Sequence, residues 1–252
     1  VGAYSGGATI STGDGDDNIM LNGGSTVNAG AGNDSLWVDE VGRGGSTTYN
    51  IETGAGDDLV ILKDGAATIS NSAGFDTIFA DTAALSVTSG TGGTNVAIQA
   101  GTLTFIGGAG SDLVTGGAGS ITVTGGSGAG WFVGGSAGGN SIVAAGGASA
   151  LIAGGTNDTL VAAGAGNDQL YASTGNFTLL GGTSTGDNLF TGLGVGGVAG
   201  DAVLNIQAGV GNDLLGVVSN TTDSGGTTLT LSDGTRIVMT NVTTAGDVNR
   251  FL

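Results

Sequence analysis

A short glycine-rich phrase recurs along this chain and constrains its fold more than any other feature. It reads small residue, Gly, any residue, Gly, any residue, Asp, any residue, apolar residue, as at positions 29–36 and 53–60. Good copies contain Asp17, Asp34, Asp58, Asp112, Asp168 and Asp213, and weaker copies contain Asp76, Asp158 and Asp187. Repetition of this kind predicts a solenoid, in which each repeat adds one turn to a continuous stack.

The spacing of these aspartates predicts the size of one turn. Counted along the chain, the interval from Asp58 to Asp76 is 18, and the interval from Asp76 to Asp112 is 36, which is twice as long. The interval from Asp17 to Asp34 is 17. The interval from Asp34 to Asp58 is 24, which equals one turn plus a six-residue insertion that we place near positions 42–47. We therefore expect coils of about 18 residues.

Each coil is predicted to have two similar halves, since Asp158 and Asp168 are only 10 residues apart. Short alternating segments such as 86–88 and 121–123 put apolar side chains on one side and Thr or Ser on the other. The expected fold is all-β. It is a thin parallel β-roll, or β-solenoid, of two sheets back to back, with glycine turns at both edges and the apolar residue after each Asp pointing inward.

The composition excludes several classes of function. Glycine accounts for 56 of 252 residues, and the acidic residues are Asp except Glu40 and Glu52, which favours turns over helices. The formal charge of -17 argues against nucleic acid or an anionic membrane as partner. No apolar run of about 18 residues occurs, so no membrane-spanning helix is expected. The chain has no His and no Cys, which removes Ser-His-Asp triads, thiol nucleophiles and ordinary zinc sites; we expect no enzyme activity.

The repeated phrase resembles the Gly-Gly-x-Gly-x-Asp-x-apolar-x nonapeptide of RTX proteins, over about residues 12 to 215. The resemblance implies a calcium-bound parallel β-roll, in which Ca²⁺ lies between successive turns at one edge. The implied ligands are glycine-turn carbonyls and the carboxylates of Asp17, Asp34, Asp58, Asp76, Asp112, Asp158, Asp168, Asp187 and Asp213. Coils over about 116–155 keep the glycine frame but lack the Asp, and are expected to continue the stack without metal.

Elementary chemistry agrees with calcium. Ca²⁺ takes six to eight hard oxygen ligands in a forgiving geometry, and stacked coils bring an Asp within about 4.8 Å of the next turn. These carboxylates repel one another without a cation, so the chain is expected to be loose without calcium and to fold with it. The alternative is that the aspartates only cap turns. It stays most open for Asp76, Asp158 and Asp187, whose glycine frames are broken.

Other side chains near the repeat are expected to face solvent, tune charge or pack, rather than to bind a metal or a ligand. Asp14, Asp16 and Asp57 are expected to face solvent or to tune the charge of the site. Trp37 and Trp131 are expected on a sheet face, as packing or interface contacts rather than ligand platforms.

The sequence changes character near its C-terminal end. Residues 227–239 read as a β-hairpin around an Asp-Gly turn, so we divide the chain into a roll over 1–223 and a hairpin region over 224–252. RTX proteins are exported by type I secretion with an uncleaved C-terminal signal. The tail, which ends in Phe251 and Leu252, is similar to such a signal in position and in its apolar end. The resemblance therefore implies an extracellular or cell-surface location.

Three functions follow from this interpretation. The first is a secreted structural subunit of an S-layer, filament or matrix, a homo-oligomer or polymer that assembles head to tail through open solenoid ends; a cell-surface polysaccharide is a further candidate partner. The second is a calcium-dependent folding or binding module of a larger secreted toxin, adhesin or enzyme. The third, an enzyme built on a β-solenoid, is disfavoured by the missing His and the scarce Lys and Arg.

Overall fold

The computed structural model describes residues 1–3, 7–39, 47–163 and 168–172, together with the strands at 177–180, 188–192, 204–207, 217–223, 226–231 and 236–240. Every regular element in this described part is a β-strand. No helix in it is long and apolar enough to cross a membrane. The architecture is a parallel β-solenoid, as the repeat predicts.

The solenoid consists of two parallel sheets, to which the chain contributes alternately. The first sheet contains β1 (Gly2–Ala3), β3 (Asn18–Leu21), β5 (Ser35–Val38), the first halves of β7 (Leu59–Ala73), β8 (Asp76–Thr88) and β9 (Thr94–Ile106), then β10 (Asp112–Thr115), β12 (Gly130–Val133), β14 (Ser149–Ile152), β16 (Gln169–Ala172) and β18 (Asn188–Gly192).

The second sheet contains β2 (Ala8–Asp14), β4 (Ser25–Ala31), β6 (Thr48–Ala55), the second halves of β7, β8 and β9, then β11 (Ser120–Thr124), β13 (Ser141–Val143), β15 (Asp158–Val161), β17 (Phe177–Leu180) and β19 (Leu204–Gln207). The chain turns at both edges of this pair of sheets, so each coil has two halves, as the short Asp158–Asp168 interval indicates.

Strand register gives the length of each coil. From Asn18 in β3 to Gln169 in β16, the intervals between equivalent residues of successive coils are 17, 24, 18, 18, 18, 18, 19 and 19. The predicted coil length of about 18 residues is therefore confirmed. In the longest coil the extra residues lie between Val38 and Thr48, where the preceding coil has three residues between β3 and β4. The predicted insertion near 42–47 falls within this interval, of which residues 40–46 lie outside the described part of the chain.

The core is a double ladder of apolar side chains between the sheets. Each ladder has one buried residue per coil, aligned with its counterpart in the preceding coil, and further buried side chains such as Leu21, Val38 and Leu103 pack beside the ladders. The first sheet provides Ile19, Leu36, Val60, Ile78, Val96, Val114, Phe132, Leu151 and Leu170. The second provides Ile10, Val27, Ile51, Ile69, Val87, Phe105, Val123, Ile142 and Leu160. The rings of Phe105 and Phe132 are tilted relative to each other, with centroids 6.4 Å apart, which lies within the range that aromatic pairs prefer.

The two outward faces differ from each other. In the second sheet, the outward residue before each core residue bears a hydroxyl or amide in every described coil: Thr9, Thr26, Asn50, Thr68, Ser86, Thr104, Thr122, Ser141 and Thr159. We call these residues the hydroxyl column. It fits the expectation of Thr or Ser on the outward side. The first sheet departs from that expectation, because its outward residues are largely apolar.

An antiparallel unit follows the coils. β20 (Val217–Asp223), β21 (Gly226–Leu231) and β22 (Arg236–Thr240) pair in sequence, and β22 also lies parallel to β18 of the first sheet. β21 and β22 form the hairpin pairing that the sequence predicts. The structure adds a third strand to this hairpin, because β20 also pairs antiparallel with β21.

Candidate metal site

The candidate metal ligands lie where the chain passes from the second sheet to the first, which we call the Asp edge. One residue per coil occupies the equivalent position there: Asp17, Asp34, Asp58, Asp76, Thr94, Asp112, Gly130, Ser149 and Asp168. Six of the nine predicted ligands thus share one edge. Asp158 lies at the opposite edge, and Asp187 and Asp213 lie outside the described residues.

The aspartates of the Asp edge form a ladder of hydrogen bonds, which we call the inner ladder. In each step the Oδ1 atom of an Asp accepts the backbone N–H of the equivalent residue in the preceding coil. Asp17 N–H donates to Asp34 at 2.8 Å, Asp34 N–H to Asp58 at 2.7 Å, and Asp58 N–H to Asp76 at 3.0 Å. Thr94 N–H donates to Asp112 at 2.9 Å, and Ser149 N–H to Asp168 at 2.8 Å.

The second carboxylate oxygen has a different environment in the middle of this ladder. Asp34, Asp58 and Asp76 are each at most 2 % exposed, and their Oδ2 atoms are buried without a hydrogen-bond partner. We call these three residues the acidic block. An ionised carboxylate with an unpaired buried oxygen is strongly destabilising, so such atoms need a proton or a cation.

Burial also shifts the acidity of these groups. Loss of hydration raises the pKa of Asp34 and Asp58 above the usual Asp value. It raises the pKa of Asp76 to about 7, and the nearby negative charge of Asp58 contributes further. Both effects disfavour the charged form, and a bound cation would offset both. Burial raises the pKa of Asp112 as well, although Ser89 and Thr94 donate hydrogen bonds to its carboxylate.

Glycine turns allow the coils to stack closely enough for this ladder. Gly54 and Gly56 both have positive φ, 100° and 132°. A Cβ atom at Gly54 would lie 1.8 Å from the carbonyl oxygen of Gly30, and one at Gly56 would lie 2.1 Å from that of Gly32. A side chain at either position would separate the coils, so the repeat requires glycine for space as well as for conformation.

A second ladder runs along the outside of the Asp edge, formed by the residue before each aspartate. The Oδ1 atom of Asp16 accepts Asn33 N–H at 2.7 Å, that of Asn33 accepts Asp57 N–H at 2.8 Å, and that of Asp57 accepts Phe75 N–H at 2.7 Å. These side chains are exposed, as expected for Asp16 and Asp57. The repeat alone does not reveal that these residues join coils. The signal in the sequence is an Asp or Asn directly before the ladder Asp, which occurs at Asp17, Asp34, Asp58 and Asp168.

The acidic block ends where a threonine replaces the next aspartate. Thr94 lies in a buried chain of hydrogen bonds in which Asn71 Nδ2 donates to Thr94 Oγ1 at 2.9 Å, and Thr94 donates to Ser89 Oγ at 2.8 Å. Ser89 then donates to Asp112 Oδ1 at 2.7 Å. In this coil, neutral hydrogen bonds occupy the space that carboxylates occupy in the acidic block.

Asp158 has the geometry of a turn cap. Its Oδ1 atom accepts Asn140 N–H at 2.9 Å and Asn140 Nδ2 at 2.8 Å. Its Oδ2 atom accepts the backbone N–H groups of Gly154 and Gly155 at 3.0 and 3.1 Å. Both oxygens therefore bond to protein, which favours the capping interpretation for this residue.

The donors at the Asp edge suit a hard cation. Within the described part of the chain, no three acidic side chains converge on one point, so backbone carbonyls or water would complete any coordination shell. The whole chain lacks the nitrogen and sulfur ligands of His and Cys. Oxygen-only donors in a glycine-rich turn match the preferences of Ca²⁺. Comparison with known families and with curated proteins found no match to this chain.

Proposed function

We propose that this chain is a calcium-binding β-roll of the RTX type. The observation that carries the proposal is the set of buried, unpartnered Oδ2 atoms of Asp34, Asp58 and Asp76. These atoms recur in consecutive coils, each beside a ladder step of 2.7 to 3.0 Å. Their repetition in register supports a repeated ligand, because a buried ionised carboxylate oxygen with no donor is destabilising until a cation or a proton neutralises it.

In this proposal the acidic block holds Ca²⁺ between neighbouring turns. Asp34, Asp58 and Asp76 provide carboxylate oxygens, and the glycine turns provide carbonyls. The bound cation neutralises carboxylates whose ionisation burial disfavours, so binding and folding are coupled. Asp112 and Asp158 stabilise the turns by hydrogen bonding instead.

We further propose that the folded roll is a secreted structural subunit that assembles outside the cell, as an S-layer, filament or matrix component. The proposed coupling of folding to calcium supports this. Coupling to calcium would keep the chain loose where calcium is scarce and order it where calcium is plentiful.

A calcium titration of the purified chain tests both parts. Circular dichroism should show β signal rising with Ca²⁺ and falling in chelator, and negative-stain electron microscopy should show ordered assemblies only with Ca²⁺. The Asp34→Asn/Asp58→Asn/Asp76→Asn variant should lose the calcium response, and Asp158→Asn, the matched control, should keep it.

Two results would count against the proposal. A chain equally folded in chelator and in Ca²⁺ would show that the Asp edge consists of caps only. A chain that folds with Ca²⁺ but never assembles would instead be a folding module of a larger secreted protein.

A further inference from the structure

The outward face of the first sheet carries an apolar stripe along the solenoid. One outward residue per coil lies in register: Met20, Trp37, Ile61, Phe79, Ala97, Thr115, Val133, Ile152 and Tyr171. Beside this column, Leu113 and Trp131 occupy the neighbouring outward position of β10 and β12. Both tryptophans of the chain lie here, with Trp37 46 % and Trp131 51 % exposed.

An outward face that only contacts water does not need large apolar side chains such as those of the stripe. The hydroxyl column of the second sheet, one residue before each core residue, holds Thr, Ser or Asn in every described coil. The column after each core residue is more mixed and includes Ile106, Val143 and Val161. On the second sheet Ile106 is the one large apolar side chain among the described residues that is strongly exposed, whereas the first sheet exposes Met20, Trp37, Phe79, Leu113 and Trp131. A contiguous exposed apolar patch marks an interaction surface in soluble proteins.

Charge indicates the kind of partner. The stripe and the outward column beside it carry no charge, although the chain has a formal charge of -17. The next position along β7 and β8 holds the exposed charged residues Lys63 and Asp81. The ion pair of Lys63 with Asp39, at 3.1 Å, borders the stripe on the side away from the Asp edge, where both residues line one groove with Met20, Trp37 and Ile61. A second copy of so acidic a chain meets least repulsion at this face, and an apolar stripe complements itself.

The outward face of the first sheet, which contains the stripe, reaches the minimum area for specific pairing. Nine strands at a spacing of about 4.8 Å give a length of about 38 Å, and strands of four residues give a width of about 13 Å. The face measures about 500 Å² per copy, so two copies would bury about 1,000 Å², the lower limit for a specific interface.

We infer that two copies of this chain pair face to face through the apolar stripe, in an isologous dimer with both hydroxyl columns outward. The dimer deepens the proposed function by naming a contact surface separate from the open ends. It rests on that function only in requiring the calcium-loaded fold.

Sedimentation velocity in saturating Ca²⁺ tests the dimer with a matched pair of exposed variants. The wild type should sediment as a dimer. Phe79→Lys puts a charge in the stripe and should weaken pairing at least tenfold, whereas Thr68→Lys puts the same charge in the hydroxyl column and should leave it unchanged. Tryptophan emission should shift to shorter wavelength as wild-type concentration rises, because pairing covers Trp37 and Trp131.

Circular dichroism of the same samples separates this inference from the calcium proposal. A wild type that is folded in Ca²⁺ yet monomeric at high concentration would overturn the dimer and leave calcium binding intact. Assemblies that Phe79→Lys does not weaken would assign self-association to the open ends. Trp131→Ser, a second variant in the stripe, gives the same test if Phe79→Lys fails to fold.

Discussion

The backbone N–H of Asp58 donates to Oδ1 of Asp76 at 3.0 Å, while Oδ2 of Asp76 is buried without a hydrogen-bond partner. One carboxylate oxygen therefore joins two coils, and the other has no N–H or hydroxyl donor while Asp76 is ionised. Protonated Asp76 donates instead to the carboxylate of Asp58, which contributes to the raised pKa of Asp76. This division of roles distinguishes the acidic block from Asp158, whose two oxygens both bond to N–H groups.

Replacing Asp58 with Asn should have opposite effects with and without calcium. In chelator it removes one of two facing carboxylates and places amide N–H groups beside Asp76, so the free energy of unfolding should rise by about 1–3 kcal/mol. Calcium should stabilise this variant less than it stabilises the wild type, because one carboxylate ligand is missing. Chemical denaturation in both conditions measures this.

Asp158→Asn provides the comparison for that experiment. It replaces the oxygen that accepts hydrogen bonds from the N–H groups of Gly154 and Gly155. The free energy of unfolding should therefore fall by about 1–3 kcal/mol whether or not calcium is present. Equal behaviour of the two variants would mean that Asp58 is a cap as well.

The chelated chain should become less stable as pH rises. The pKa of Asp76 is about 7 in the folded chain, above the ordinary Asp value of 3.8, so between these values the folded state binds more protons than the unfolded state. Stability from this group is present in full below pH 3.8 and is lost as pH rises through about 7. The pKa values of Asp34, Asp58 and Asp112 shift in the same direction.

Thermal unfolding in chelator at pH 5 and pH 8 checks the direction of this dependence. Calcium should reverse it, because protons and Ca²⁺ compete for the same carboxylates, so calcium affinity should fall on acidification. A chelated chain more stable at pH 8 than at pH 5 would contradict the assignment.

Thr94→Val should destabilise the chain by about 1–3 kcal/mol, because it leaves Asn71 Nδ2 without its acceptor and Ser89 Oγ without its donor in a buried network. Thr94→Ser keeps the hydroxyl and should cost clearly less. Denaturant titration of both variants measures the difference, which would vanish if the network contributed nothing.

Two glycine variants separate space from conformation. Gly15 and Gly54 have similar φ values, 105° and 100°, but a Cβ at Gly15 meets nothing within 4 Å. Gly15→Ala should cost only the strained conformation, about 1–3 kcal/mol. Gly54→Ala should cost more than that, because the added atom collides with the Gly30 carbonyl. Equal losses in denaturant titration would show that the coils separate freely.

The period of the coils and their passage from sheet to sheet could be predicted from sequence because one motif marks the same position in each turn. Thr94 was missed because it replaces that marker without disturbing the regular interval. The contrast between Phe79 in the apolar stripe and Thr68 in the hydroxyl column was missed for another reason. Coil lengths vary among 17, 18, 19 and 24, so register partners lie at unequal separations and a column on the surface has no constant period in the sequence.

The two ladders of the Asp edge point in opposite directions along the solenoid. Asp34 reaches back to the N–H of Asp17, while Asp16 reaches forward to the N–H of Asn33. Detaching a coil from either neighbour therefore breaks bonds of both kinds at once. Local opening should then be rare between residues 17 and 76, and amide hydrogen exchange there should report one shared opening event rather than fraying turn by turn.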